Sequence, residues 1–161
     1  MKTTNRFTLS HVVLLACLLV LALGALPAGW LLFTRPDGSG MGMPLSMLAH
    51  SPFSSFAVPG LILFLLFGVG SLVTLYGIIA RPRWAWTEPL MRGLHMHWSL
   101  TAAVIIGLGQ MIWIVVQIAM LRGVSWLHPL FFLMGLAIVG LAYLDQRTTG
   151  QLDASQKLGA I

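Results

Sequence analysis

The chain predicts an all-α fold, a four-helix transmembrane bundle, and three observations carry that prediction. Its 161 residues are 58% hydrophobic and only 8% charged, against about 25% charged residues in a soluble domain. The mean hydropathy is +0.91. The charged residues leave segments 7–34, 38–80, 93–121 and 123–144 without any formal charge. Each segment holds the run of roughly 20 apolar residues that a helix needs to cross about 30 Å of hydrocarbon. A charge at the bilayer centre costs about 2.5–3.5 kcal/mol even on the lenient insertion scale, so its exclusion from all four segments is informative. A single membrane domain fills the chain.

The first span is expected at about 11–33. Lys2 and Arg6 before an apolar run, with Ala25, Ala28 and Gly29 behind it, have the outline of a signal peptide. The run continues through Trp30, Leu31, Leu32 and Phe33, too long for a signal core, and it reads as a retained span. Loop 34–57 follows. Arg35-Pro36-Asp37-Gly38-Ser39-Gly40 is a dense turn cluster, and 44–49 suits one or two helical turns at the membrane interface, with Pro44 near the start. Irregular backbone is not tolerated against lipid, so the loop must rest at the interface or on protein. Leu45, Met47, Leu48, Phe53 and Phe56 are too apolar to hang in water. They are expected to fold over the bundle end as a cap, covering a small cavity beside the third span.

The second span is expected at about 58–80, with Pro59 in its first turn and Arg81-Pro82-Arg83 ending it. Trp84 and Trp86 suit the headgroup zone. The third span covers about 99–121 and begins as early as Met91 on its most generous reading. Arg122-Gly123 closes it, and the fourth follows at about 126–144. Asp145, Arg147 and the polar tail 145–161 are expected in water. Cations give the orientation: Lys2, Arg6, Arg81, Arg83, Arg92, Arg147 and Lys157 share one side, Arg35 and Arg122 the other. The positive-inside rule then puts both termini in the cytoplasm.

Polar groups within the spans are few. Ala103, Gly107, Gln110, Ile114 and Gln117 follow helical spacing along one face of the third span. Small residues there permit close helix approach, and glutamines at heptad spacing suit hydrogen bonds across helices; a polar pocket is the functional alternative to such packing. Gly70, Thr74 and Gly77 make a matching seam on the second span, with Gly135 and Ala142 a weaker one on the fourth. His11, His95 and His97 gather at the cytoplasmic side, where neutral imidazoles can ligate a metal or a haem iron. On a helix His95 and His97 would diverge by roughly 200°, so only one of them can pair with His11. With no acid inside a span, no carboxylate is expected to orient either ring.

Other chemistry finds little footing. No basic patch with interleaved aromatics exists for nucleic acid, despite a net charge of +5. Cys17 is alone and reads as a packing residue. Ser46, Ser51, Ser54 and Ser55 near His50 lack a nucleophile-elbow pattern, and Gly38-Ser39-Gly40-Met41-Gly42 lacks the lysine of a phosphate loop. No catalytic residue, metal set or cofactor is therefore assigned.

Gly42-Met43-Pro44-Leu45-Ser46, then Ser51-Pro52-Phe53, Phe56 and Pro59-Gly60, resembles the first loop of small, uncharacterised four-span bacterial membrane proteins. Trp113 with Gln117, and Leu127, Pro129 and Gly135, are similar to the rest of that pattern across about 40–136. The resemblance implies a bacterial inner-membrane protein of four spans and attaches no reaction to it. The expected function is a non-enzymatic component that binds lipid, a partner membrane protein or a second copy of itself. The alternative is a redox, haem or metal protein using His11 with His95 or His97.

Overall fold

A computed structural model describes residues 8–82, 87, 96–121 and 123–158. Among them the secondary structure is helical throughout: α1 (Leu9–Thr34), α2 (Ala57–Ala80), α3 (Trp98–Leu121) and α4 (Leu127–Leu158). All four are long and apolar enough to cross a membrane, making this a multi-pass helical membrane protein. Only 22–33% of each span is buried inside the protein. The rest carries outward Leu23, Ile79, Ile112 and Leu133, an apolar belt that water would penalise and lipid accepts.

The short link between Leu121 and Leu127 turns α4 back antiparallel to α3, and each helix packs on its sequence neighbours, with α4 returning onto α1. The core uses one stripe from each helix: Leu14, Leu18 and Leu21 of α1, Phe67 and Ile78 of α2, Ala103 and Ile106 of α3, Ile138 and Ala142 of α4. Glycines set the closest crossings. A Cβ on Gly29 would lie 2.5 Å from the Phe64 backbone nitrogen, and one on Gly60 2.6 Å from that of Phe33, so α1 and α2 nearly touch backbones. Gly107 and Gly135 do the same for α3 and α4, each Cβ position lying 2.7–2.8 Å from the other's carbonyl. Gly77 makes room for the Trp98 ring.

Local chemistry fixes the helix ends. The Thr8 hydroxyl accepts the N–H of His11 at the start of α1. Arg81 ends α2 in the left-handed region (φ 46°), donating its N–H to Gly77, and Pro82 then forbids continuation. The Trp98 indole donates to the Pro82 carbonyl at 2.9 Å, tying the start of α3 to the end of α2. Within α2, residues Leu63–Val69 widen into π-helical turns, beginning where Phe64 meets Gly29 of α1.

The fourth helix departs from expectation. It does not stop at 144 but runs to Leu158, and its membrane-length segment is Leu127–Arg147. Asp145 therefore lies inside that segment and is 3% exposed, not in water. No proline follows Leu144, and Gln146, Gln151, Leu152, Ala154 and Lys157 favour a helix strongly enough to carry it through Gly150, which costs about 1 kcal/mol relative to alanine.

Loop 35–56 folds back on the bundle. Turns form at Ser39–Met41 and Leu45–Leu48, both 3-10. The Phe56 N–H donates to the Pro36 carbonyl at 2.8 Å, closing the loop at its base. Ser39 donates its hydroxyl and its N–H to Asp37, holding that carboxyl below the usual carboxylate range.

Candidate functional site

Two places concentrate chemistry, one at each end of the bundle. At the loop end, Leu32 of α1, Pro59 and Leu63 of α2, and Trp113, Val116, Gln117 and Met120 of α3 surround a cavity of about 50 Å³. Met43, Leu48 and Phe56 roof it from the loop. Leu48 and Phe56 are buried and Phe53 half-buried against them. Burying each such side chain is worth about 1.5–3 kcal/mol against exposing it to water, enough to hold the loop down. Leu45 and Met47 do not join the roof: they are 46% and 40% exposed, while Leu48 at the end of the same turn is buried. Trp113 packs on Phe67 with ring centroids 5.9 Å apart, which fixes the cavity wall. Gln117 brings an amide into an otherwise apolar lining.

Phe56→Ala should open this roof without disturbing the spans. Hydrogen exchange of residues 44–56 in detergent is expected to be partly protected in the parent and to approach that of free peptide in the variant. Equal protection in both would mean that the loop is held elsewhere.

The third-span stripe does not serve one neighbour. Ala103 is fully buried in the core, Gly107 forms the crossing with α4, and the Gln110 Cβ lies beside Gly135. Ile114 lines the α3–α4 side, whereas Gln117 faces the cavity between α1, α2 and the loop. Gln110 is 3% exposed and its Oε1 has no hydrogen-bond partner, so the glutamine bond across helices is not made through that atom. On α2, Thr74 and Gly77 are buried, while Gly70 is half-buried near Ile106.

At the opposite end the histidines find a partner that the sequence reading did not anticipate. The His11 Nδ1–H donates to Asp145 Oδ1 at 2.9 Å, both side chains being less than 10% exposed. The Arg81 guanidinium stands 3.9 Å from Oδ2, with its side chain 46% exposed. His97 lies before the first turn of α3, not on a helix, so the helical divergence from His95 does not apply; His95 itself lies outside the described residues, as do Arg83, Trp84, Trp86, Glu88 and Arg92. The His97 Nδ1 accepts from the Ser99 hydroxyl at 2.7 Å and from its N–H at 3.4 Å, which places the ring proton on Nε2. Asp145, Arg81, His97 and Ser99 share a cavity of about 10 Å³ with Ile78 and Leu100, room for about one water.

An orienting carboxylate for His11 thus exists within the spans, contrary to the sequence expectation. Its signal was present: Gly135, Ile138, Ala142 and Asp145 follow helical spacing on one face of the fourth helix. Among the described residues no three His, Cys, Asp or Glu side chains form a set able to hold a metal ion. His128, at the loop end, accepts the Ser125 N–H on Nδ1 at 2.8 Å and lines an open apolar groove of about 430 Å³ between α3 and α4. Comparison with protein-family models, curated proteins and solved structures finds no match to this chain.

Proposed function

We propose that this chain is a non-enzymatic component of a bacterial inner membrane, with both termini cytoplasmic, that binds a lipid acyl chain beneath its loop. The observation that carries the reading is the roofed apolar cavity at the loop end, lined by Leu32, Leu63, Trp113 and Met120 and bearing the Gln117 amide. At about 50 Å³ it admits only the end of a chain or a methyl branch until the roof lifts, and Leu48 and Phe56 are placed to lift with the loop. An apolar pocket with one placed polar group is the usual form of a small-ligand site. Native mass spectrometry after extraction in mild detergent tests it. The parent should carry about one bound lipid per chain, and Leu48→Glu should lose it, because a carboxylate in the roof is incompatible with an acyl chain.

The orientation rests on the cation imbalance and has its own test. Cysteines placed at Ser39 and Asp153 should label from opposite sides of the membrane, 39 from the periplasm; labelling of both from one side would overturn the layout.

A second reading, docking of a partner membrane helix or of another copy of this chain, rests on the open α3–α4 groove lined by Ile114, Ile118, Phe132 and Leu133. It predicts a dimer or complex that survives dilution, and a variant such as Leu133→Trp that disrupts it without loss of bound lipid. The haem reading gains the Asp145 partner for His11. Among the described residues the cavity beside His97 has room for about one water, far less than a porphyrin needs.

A further inference from the structure

Loop 35–56 has two chemically different faces. Leu48 and Phe56 are buried towards the bundle, and Met43 packs against them. Met41 and Met47 are instead 44% and 40% exposed, and His50 is exposed too. Three of the chain's nine methionines thus fall within residues 41–47. Burial does not account for Met41 and Met47; what each adds beyond an apolar stem is a soft, polarizable thioether sulfur. The backbone brings the donors together. The N–H groups of Met47, Ala49 and Ser51 donate to the carbonyls of Pro44, Ser46 and Leu48, which carries 3-10 spacing from Pro44 to Ser51. Side chains at i and i+3 eclipse at that spacing, so Met47 and His50 share one edge of the turn. The Gly38 carbonyl accepts the N–H of both Met41 and Met43, curling 38–43 into a tight ring, and Pro44 alone joins that ring to the turn at Leu45–Leu48. Among the described residues nothing hydrogen-bonds the His50 ring.

We propose that Met41, Met47 and His50 form a binding site for a soft monovalent cation of the copper(I) class on the outer face of the loop. Thioether sulfur selects copper(I) among the first-row metals, and neutral imidazole suits copper as well. All three donors are uncharged, which matches a singly charged ion better than a divalent one. Hard cations find no comparable set. Asp37 is the one carboxylate of the loop, and it is already engaged by the hydroxyl and N–H of Ser39; calcium and magnesium need several oxygen ligands. The long, unbranched methionine side chains adapt to the ion without a rearrangement of the backbone. This site uses the exposed donors and the lipid cavity uses the buried side chains, so either reading can fail without the other.

The test uses the full chain in mild detergent, carrying Cys17→Ser so that the one thiol cannot compete for the ion. Copper(I), kept reduced with ascorbate, is titrated in competition with a chromophoric copper(I) chelator. The chain should retain about one ion, and zinc(II) at the same concentration should not displace it. Met47→Leu and His50→Ala should each weaken binding by at least about tenfold, the least that disturbing a metal site usually costs. Met43→Leu should leave it unchanged. No retention against the chelator overturns the site, and so does displacement by zinc(II) or full affinity in Met47→Leu. Methyl NMR with silver(I), a redox-stable substitute, gives a second readout that needs no loop variant. The methionine methyls of Met41 and Met47 should shift on addition of the ion, and those of Met111 and Met134 within the spans should not. Shifts at all four alike, or at neither loop residue, overturn the proposal.

Discussion

Asp145→Ala is expected to destabilise the bundle by about 3–5 kcal/mol, because removing one partner of a buried pair strands the other. His11, less than 10% exposed, would lose its acceptor, and Arg81 would lose the carboxylate it faces. The magnitude decides between two pictures. Neutral hydrogen bonds between membrane helices average about 0.6 kcal/mol, so a loss near that value would mean that Asp145 finds water as readily as it finds His11. The double variant His11→Leu/Asp145→Leu should recover most of the loss, since a well-packed apolar pair often replaces a buried ionic one without penalty. Denaturation in mixed micelles measures all three proteins, and a double variant as weak as the single would show that the site needs its charges to fold.

Gly29→Val is expected to have a comparable effect through packing alone. A Cβ at 29 would meet backbone atoms of Phe64 at 2.5–2.7 Å and the Gly60 carbonyl at 2.8 Å. Backbone cannot swing aside as a side-chain tip can, so α1 and α2 must separate. Overpacking of this kind costs about 1–3 kcal/mol, and here the upper end is expected because both helices lose their closest contact. Gly24→Val is the control: a Cβ there meets nothing within 4 Å, so stability should change by less than about 0.5 kcal/mol. Similar losses in both would mean that helix propensity, not the crossing, is being measured.

The two predictions mark what the sequence makes legible. Apolar length located all four spans, since the hydrocarbon thickness demands it of any span regardless of neighbours. Apolar loop residues likewise announced a cap, and the choice of Leu48 over Leu45 and Met47 waited on how the turn docks against Leu32 and Phe56, which composition does not encode. Asp145 was missed because the first charge after an apolar run was taken as the edge of the membrane. A helix that continues to Leu158 carries its inward face past that edge, and the spacing of Gly135, Ile138, Ala142 and Asp145 records that face. Gly29 and Gly60 were not singled out for packing because a close crossing is a property of two helices, and neither sequence segment alone shows which glycine meets which backbone. The third-span stripe was legible as a periodicity, yet its members divide between α4 and the loop-end cavity once neighbours are in place.

The claim that a lipid chain occupies the space beneath the loop is tested most directly by photo-crosslinking at Met120, which lines the cavity. The comparison position is Ile112, 64% exposed on the lipid-facing belt. After extensive detergent exchange, lipid on the open surface should be washed away while lipid under the roof is retained. A benzophenone side chain at 120 should then capture a phospholipid adduct in a large fraction of chains, and one at 112 should capture almost none. Equal capture at the two positions, or cross-links at 120 to protein alone, would contradict the account.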